Sequence, residues 1–195
     1  MLYKLEKTGN KFTDIEALPF DDFATHGNLE ADLENLLAKN LFGVLFEDSR
    51  LMPIFQERKR QEEADIYALN EAGDLVIFEL KRNSADSSAV HQALRYCEQA
   101  ASWNYEKLQE KYDIYRENNE EPKEALNEAH KASFELSASL NNQIFNQKQH
   151  LMVVGSASSN SLITTVDYWK RQGLSIDFVP YRVYKIGDNF YFEFF

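Results

Sequence analysis

The chain opens with two runs in which apolar and polar residues alternate, LYKLE and KFTDIEAL, joined by Thr8-Gly9-Asn10. Alternation with period two predicts strands, and the Gly-Asn pair suits a turn, so residues 1–16 read as a β-hairpin. After the loop PFDDFATHG the period changes. Leu29, Leu33, Leu36 and Leu37 stand at i, i+4, i+7 and i+8, the apolar stripe of a helix over 29–40. Asn28 is placed to cap it, and Glu30 and Asp32 suit its positive end. Two or three extended segments follow: LMPIFQERK, DIYALN and LVIFELK. Residues 70–74 join the last two as a hairpin loop. A polar break at 84–88 then precedes a second helix, about 89–103.

Residues 104–147 are polar and read as wholly helical. YEKLQEKYDIYREN forms one helix and PKEALNEAHKASFEL another, opened by Pro122. The pattern then returns to strand HLMVVGS, helix SLITTVDYWKRQG with Gly173 as its stop, strand SIDFVPYRVYKI, a turn at 187–189 and strand FYFEFF. Taken together, these elements predict an α/β fold with a helical insertion at 104–147. With 195 residues and 44% apolar composition, a single domain spanning 1–195 is expected.

Charge and cysteine content narrow the classes. The 21 Lys and Arg stand against 32 Asp and Glu, a formal charge of −11, which argues against a broad electrostatic grip on nucleic acid. One cysteine, Cys97, makes neither an internal disulfide nor a cysteine zinc site by itself, and a cytoplasmic location is expected. No run is long and apolar enough to cross a bilayer, so no membrane partner is expected. The apolar end, FYFEFF, calls for cover, and a homodimer seam is one way to supply it.

The candidate chemistry lies in the central hairpin. If the 70–74 loop closes symmetrically, Leu69 faces Leu75, Tyr67 faces Ile77 and Asp65 faces Glu79. Glu79 and Lys81 share a face because strand side chains alternate. Asp65, Glu79 and Lys81 are therefore expected to cluster. Two carboxylates so placed repel, which raises at least one pKa, and a divalent cation relieves the repulsion. Oxygen ligands of this kind suit Mg²⁺ or Mn²⁺, held by Asp65, Glu79 and the Leu80 carbonyl. An ExK triplet by itself is common. Glu79 following the buried-type run LVIF, with an aspartate opposite, makes this one informative.

Glu30 is the next candidate, able to reach the far side of such an ion, with Glu34 one turn later competing for the role. Gln92 and Tyr96, at i and i+4, share a helix face. Arg58, Lys59, Arg60, Lys81, Arg82 and Arg95 form the densest basic grouping and are candidates to grip phosphates. The four histidines show no metal-ligand spacing.

Glu30, Asp65, Glu79-Leu80-Lys81 and Gln92-x3-Tyr96 together resemble the PD-(D/E)XK nucleases of the RecB-like group. The pattern is similar above all to the NucS-type endonuclease catalytic domain. LEADLENLLAKN resembles the opening helix of that family, and this selects Glu30 over Glu34. DIYALNEAGDLVIFELKR resembles the core hairpin, and HQALRY the QxxxY helix. The resemblance implies a restriction-endonuclease-like core, a mixed central sheet flanked by helices. It also implies a Mg²⁺ or Mn²⁺ site at Glu30, Asp65 and Glu79, with Lys81 catalytic and Gln92 and Tyr96 supporting. The expected function is metal-dependent hydrolysis of DNA, whether single-stranded, branched or duplex. The alternatives are a catalytically weak or inactive module that binds a partner or nucleic acid, and a ribonuclease.

Overall fold

A computed structural model describes residues 2–40, 50–57, 63–82, 86–156 and 160–194, with the side chains of Glu30 and Asn160 outside that description. The elements are β1 (Tyr3–Thr8), β2 (Lys11–Ala17), α1 (Glu30–Asn40), β3 (Met52–Gln56), β4 (Ile66–Leu69) and β5 (Leu75–Lys81). Then come α2 (Ser87–Ala100), α3 (Tyr105–Asn118), α4 (Leu126–Ser133), a 3-10 turn (Asn142–Ile144), β6 (Gln149–Gly155), α5 (Asn160–Arg171), β7 (Ile176–Ile186) and β8 (Asn189–Phe194).

Strands β3 to β8 form one sheet in chain order. β5, β6 and β7 run parallel, because α2–α4 and then α5 cross over between them, while β3–β4, β4–β5 and β7–β8 are antiparallel. β1 and β2 make the separate hairpin expected at the start, with its residues exposed. The mixed sheet flanked by helices matches the expectation from sequence.

Both faces of the sheet are covered, and this explains why β4 and the first four residues of β5 are apolar. Tyr67, Leu69, Leu75 and Ile77 point to the face on which α2 and α3 pack. Ile66, Ala68, Val76, Phe78 and Leu80 point to the face closed by Leu33 and Leu37 of α1. Glu79 and Lys81 continue the first of these alternating sets, so both belong to the α2 side.

Three expectations need correction. The buried positions of α1 are Leu33, Glu34, Leu37 and Ala38, whereas Leu29 and Leu36 are exposed. The helix is turned by one residue, because the sheet beneath it receives the 33/37 edge of the leucine stripe rather than its centre. The helix begins at Glu30 rather than Leu29, so the residue before it is Leu29, not Asn28, and the Leu29 N–H donates to Asp32 Oδ2 at 2.7 Å. Finally, 104–147 is not wholly helical. Pro122 lies in an extended stretch before α4, and 134–141 carries no helix. Backbone reversals at Glu120 (φ 59°), Glu135 (φ 55°) and Asn146 (φ 61°) divide it, a conformation that carries a steric cost for residues with a Cβ.

Candidate active site

The five-residue loop closes with the symmetric register: Leu69 pairs with Leu75, Tyr67 with Ile77 and Ile66 with Phe78. One step further, Asp65 stands opposite Glu79. Its Oδ2 accepts the Leu80 N–H at 2.6 Å, so the side chain reaches across to β5. A strand residue directs its N–H and C=O toward the same neighbour. The Leu80 carbonyl therefore lies on the Asp65 side of β5, beyond the end of β4. The Asp65 backbone is fixed from the other flank, its carbonyl accepting from the Glu57 N–H at 2.9 Å.

Glu79 is 1% exposed, a charged side chain at the end of a buried strand. Its Oε1 accepts from Lys81 Nζ at 2.6 Å, and Lys81 remains partly open to solvent. Burial pushes the Asp65 carboxyl well above the ordinary aspartate range, and the negative charges of Glu79 and Glu34 push it further. The Leu80 N–H and Lys81 offset part of this.

Behind the pair lies α2. Gln92 Nε2 donates to the Tyr96 hydroxyl at 3.0 Å, as the i, i+4 spacing predicts, and Tyr96 is buried. Tyr67 of β4 links this helix to the carboxylates. Its buried phenol is held above its ordinary value, and the charges of Glu63 and Glu79 and the neighbouring Tyr96 add to the effect.

Asp65, Glu79, Leu80 and Lys81 come together, with Gln92 and Tyr96 bonded to each other on the adjoining helix. Glu30 opens α1, but its side chain lies outside the described part. Among the described side chains, the α1 carboxylate whose charge reaches Asp65 is Glu34, which the rotation of the helix turns inward. Arg58, Lys59 and Arg60 lie outside the described residues. Arg82 donates to the Asn28 carbonyl at 3.3 Å, and the Arg95 guanidinium lies 5.3 Å from the Tyr96 ring centroid. Among the described residues, no three His, Cys, Asp or Glu side chains converge on one point.

Sequence reading assigned nothing to His130. It is buried, burial lowers its pKa, and Nε2 meets the Asn70 carbonyl at 2.8 Å. The signal was weak, a lone histidine in a polar helix.

These features define a class of site: a carboxylate pair beside an ammonium group, at the open end of an antiparallel hairpin in a mixed α/β sheet. The chain is similar to solved structures at low sequence identity. One is a repair endonuclease from Pyrococcus abyssi, with 21% identity and a TM-score of 0.41, over 78% of this chain and 47% of that one. Another is EndoMS in an EndoMS–dsDNA complex, with 16% identity and a TM-score of 0.41, over 77% of this chain and 44% of that one. EndoMS in apo form gives 17% identity and the same TM-score, over 78% of this chain and 47% of that one. The chain thus spans less than half the length of each. No family model matches the chain, and no curated protein matches it in sequence.

Proposed function

We propose that this protein is a nuclease that hydrolyses DNA phosphodiester bonds with Mg²⁺ or Mn²⁺ as cofactor. Asp65, Glu79 and the Leu80 carbonyl hold the ion, joined by an α1 glutamate, either Glu30 or Glu34. The observation that carries this reading is the meeting of Asp65 and Glu79 across the hairpin with Lys81 on the same face.

The donor set fits such an ion in kind. All of its atoms are oxygens, the ligands a hard divalent cation takes. The Asp65 pKa is raised by burial first and by the Glu79 and Glu34 charges after it, and a cation at that point would counter the repulsion among those carboxylates. Once bound, the ion supplies Lewis-acid polarisation of the phosphate and a more acidic attacking water.

The chain's own residues supply the rest. Glu79 holds the Lys81 ammonium at a fixed place, where it stabilises charge building on the phosphate oxygens during in-line attack. Tyr96 fixes the Gln92 amide, which orients water or phosphate from α2. Arg82 and Arg95, with Arg58, Lys59 and Arg60, grip neighbouring phosphates. Attack by water with loss of the 3′ oxygen leaves a 5′-phosphate and a 3′-hydroxyl.

The test is a cleavage panel of single-stranded, branched and duplex DNA, with RNA alongside, in Mn²⁺. Wild type cuts at least one DNA, and Lys81→Ala is slower by about a hundredfold, the loss typical of one electrostatic stabiliser. Equal rates for the two proteins contradict the mechanism. A second reading is favoured by the formal charge of −11: a nuclease fold kept for docking to a partner protein. Calorimetry separates the two, because the docking module takes up no Mn²⁺ at millimolar concentration.

A further inference from the structure

Along α3 the buried positions are Leu108, Lys111 and Tyr112, so a lysine stands where the helix meets the core. Lys111 is 5% exposed. Its Nζ donates to both carboxylate oxygens of Glu63. It also lies 4.4 Å from the Phe55 ring centroid and 5.2 Å from that of Trp103. Those two rings flank Tyr67, at 5.6 and 4.8 Å between centroids. The ammonium group is thus enclosed by one carboxylate and aromatic rings, an arrangement that fixes it in place.

Glu63 lies two residues before Asp65. Between them, Ala64 is fully buried and its N–H donates to the Tyr67 hydroxyl at 3.3 Å. The Asp65 carbonyl is tied to Glu57, which follows the strand that carries Phe55. Among the described residues, the ties of the 63–65 segment other than the Asp65–Leu80 bond, from Glu63, the Ala64 N–H and the Asp65 carbonyl, run to the group of residues around Lys111 or to the end of β3. No regular strand pairing holds this segment, since β4 begins at Ile66.

We propose that Lys111 is a positioning residue for the carboxylate site. Through Glu63 it fixes the short segment from which Asp65 reaches Leu80, and this gives the helical insertion a role in metal binding. The proposal rests on the metal-dependent nuclease reading above. Without the Lys111 anchor, Glu63 leaves the aromatic enclosure and the Asp65 carboxylate loses its fixed approach to β5. A ligand held less firmly binds its ion less tightly.

The test is Mn²⁺ affinity, read by the loss of the free-ion electron paramagnetic resonance signal. Wild type, Asp65→Asn, Lys111→Met, Lys111→Arg and Glu63→Gln are compared at a temperature where circular dichroism shows each to be folded. Asp65→Asn abolishes binding, Lys111→Met weakens it by about tenfold, and Lys111→Arg restores most of it. Wild-type affinity in Lys111→Met, with binding lost in Asp65→Asn, overturns the role of Lys111 and leaves the site reading intact. Wild-type affinity in Asp65→Asn overturns both. If Lys111→Met does not fold, Glu63→Gln decides: weakened binding supports the anchor and unchanged binding overturns it.

Discussion

The Asp65 side chain is the point where chemistry and stability meet. Its folded-state pKa lies above the unfolded value, near 3.9, because the carboxylate is buried beside Glu79. A group raised in this way favours the folded state fully below the unfolded pKa. That contribution is lost as pH rises through the folded pKa. At neutral pH the raised Asp65 pKa therefore works against folding when no cation is bound. Asp65→Asn keeps an oxygen for the Leu80 N–H and removes the charge. It is expected to raise the melting temperature of the metal-free protein at pH 7, and the gain over wild type should vanish below about pH 4. Thermal melts of both proteins across pH, in chelator, check this. A lower melting temperature for Asp65→Asn at pH 7 would mean that the carboxylate is satisfied as it stands. The Asp65–Glu79 meeting was legible in the sequence because a hairpin loop fixes the register by its ends, and period two fixes the face. The choice between Glu30 and Glu34 was not. Both lie near the start of one helix, and which of them turns inward depends on a rotation set by the sheet below, a tertiary fact with no local signature.

The β4–β5 hairpin is held at its closed end by the chain segment that follows α4. Gly73 is the pivot. Its φ is +83°, its carbonyl accepts from the Asn146 N–H at 2.8 Å, and a Cβ there would meet Leu140 Cδ1 at 3.1 Å. Asn146 in turn donates to the Ala100 and Trp103 carbonyls, and His130 reaches Asn70. The insertion therefore grips the hairpin at the loop, and at the opposite end through Lys111. Gly73→Ala should destabilise the protein by about 1–3 kcal/mol, through both the positive φ and the crowding against Leu140. Urea titration measures it, and a change within about 0.5 kcal/mol would show that the loop relaxes freely. On the other face, Leu37→Ala removes a buried contact of α1 and should cost about 2–5 kcal/mol in the same assay. Helices α2 and α5 and strands β6 to β8 were readable from periodicity. The segment 134–141 was not, because Leu136 and Leu140 are held by the core they pack against, a tertiary contact, and polar composition alone does not separate helix from an ordered turn.

Across the surface the acidic residues dominate, and the formal charge of −11 sets the long-range field. On the proposed reading, the basic side chains near the site act locally on a phosphate and do not draw a duplex in from a distance. In chelator, the affinity of the chain alone for generic duplex DNA should be weaker than about 1 µM at physiological salt, and should rise as salt is lowered. Fluorescence anisotropy measures it; tight, salt-insensitive binding would point to a recognition surface beyond the carboxylate site. Among the described residues, no helix is long and apolar enough to cross a membrane. Phe192 and Phe194 of β8 pack into the core beside α1, while Phe190 and Tyr191 are exposed. The final strand is therefore partly core, as its composition suggested. The most direct measurement of the central claim is anomalous diffraction from crystals soaked in Mn²⁺. We expect one peak at roughly 2.0–2.5 Å from a carboxylate oxygen of Asp65, one of Glu79 and the Leu80 carbonyl. Ordered carboxylates with no peak between them, in crystals that take up Mn²⁺ elsewhere, would contradict the account.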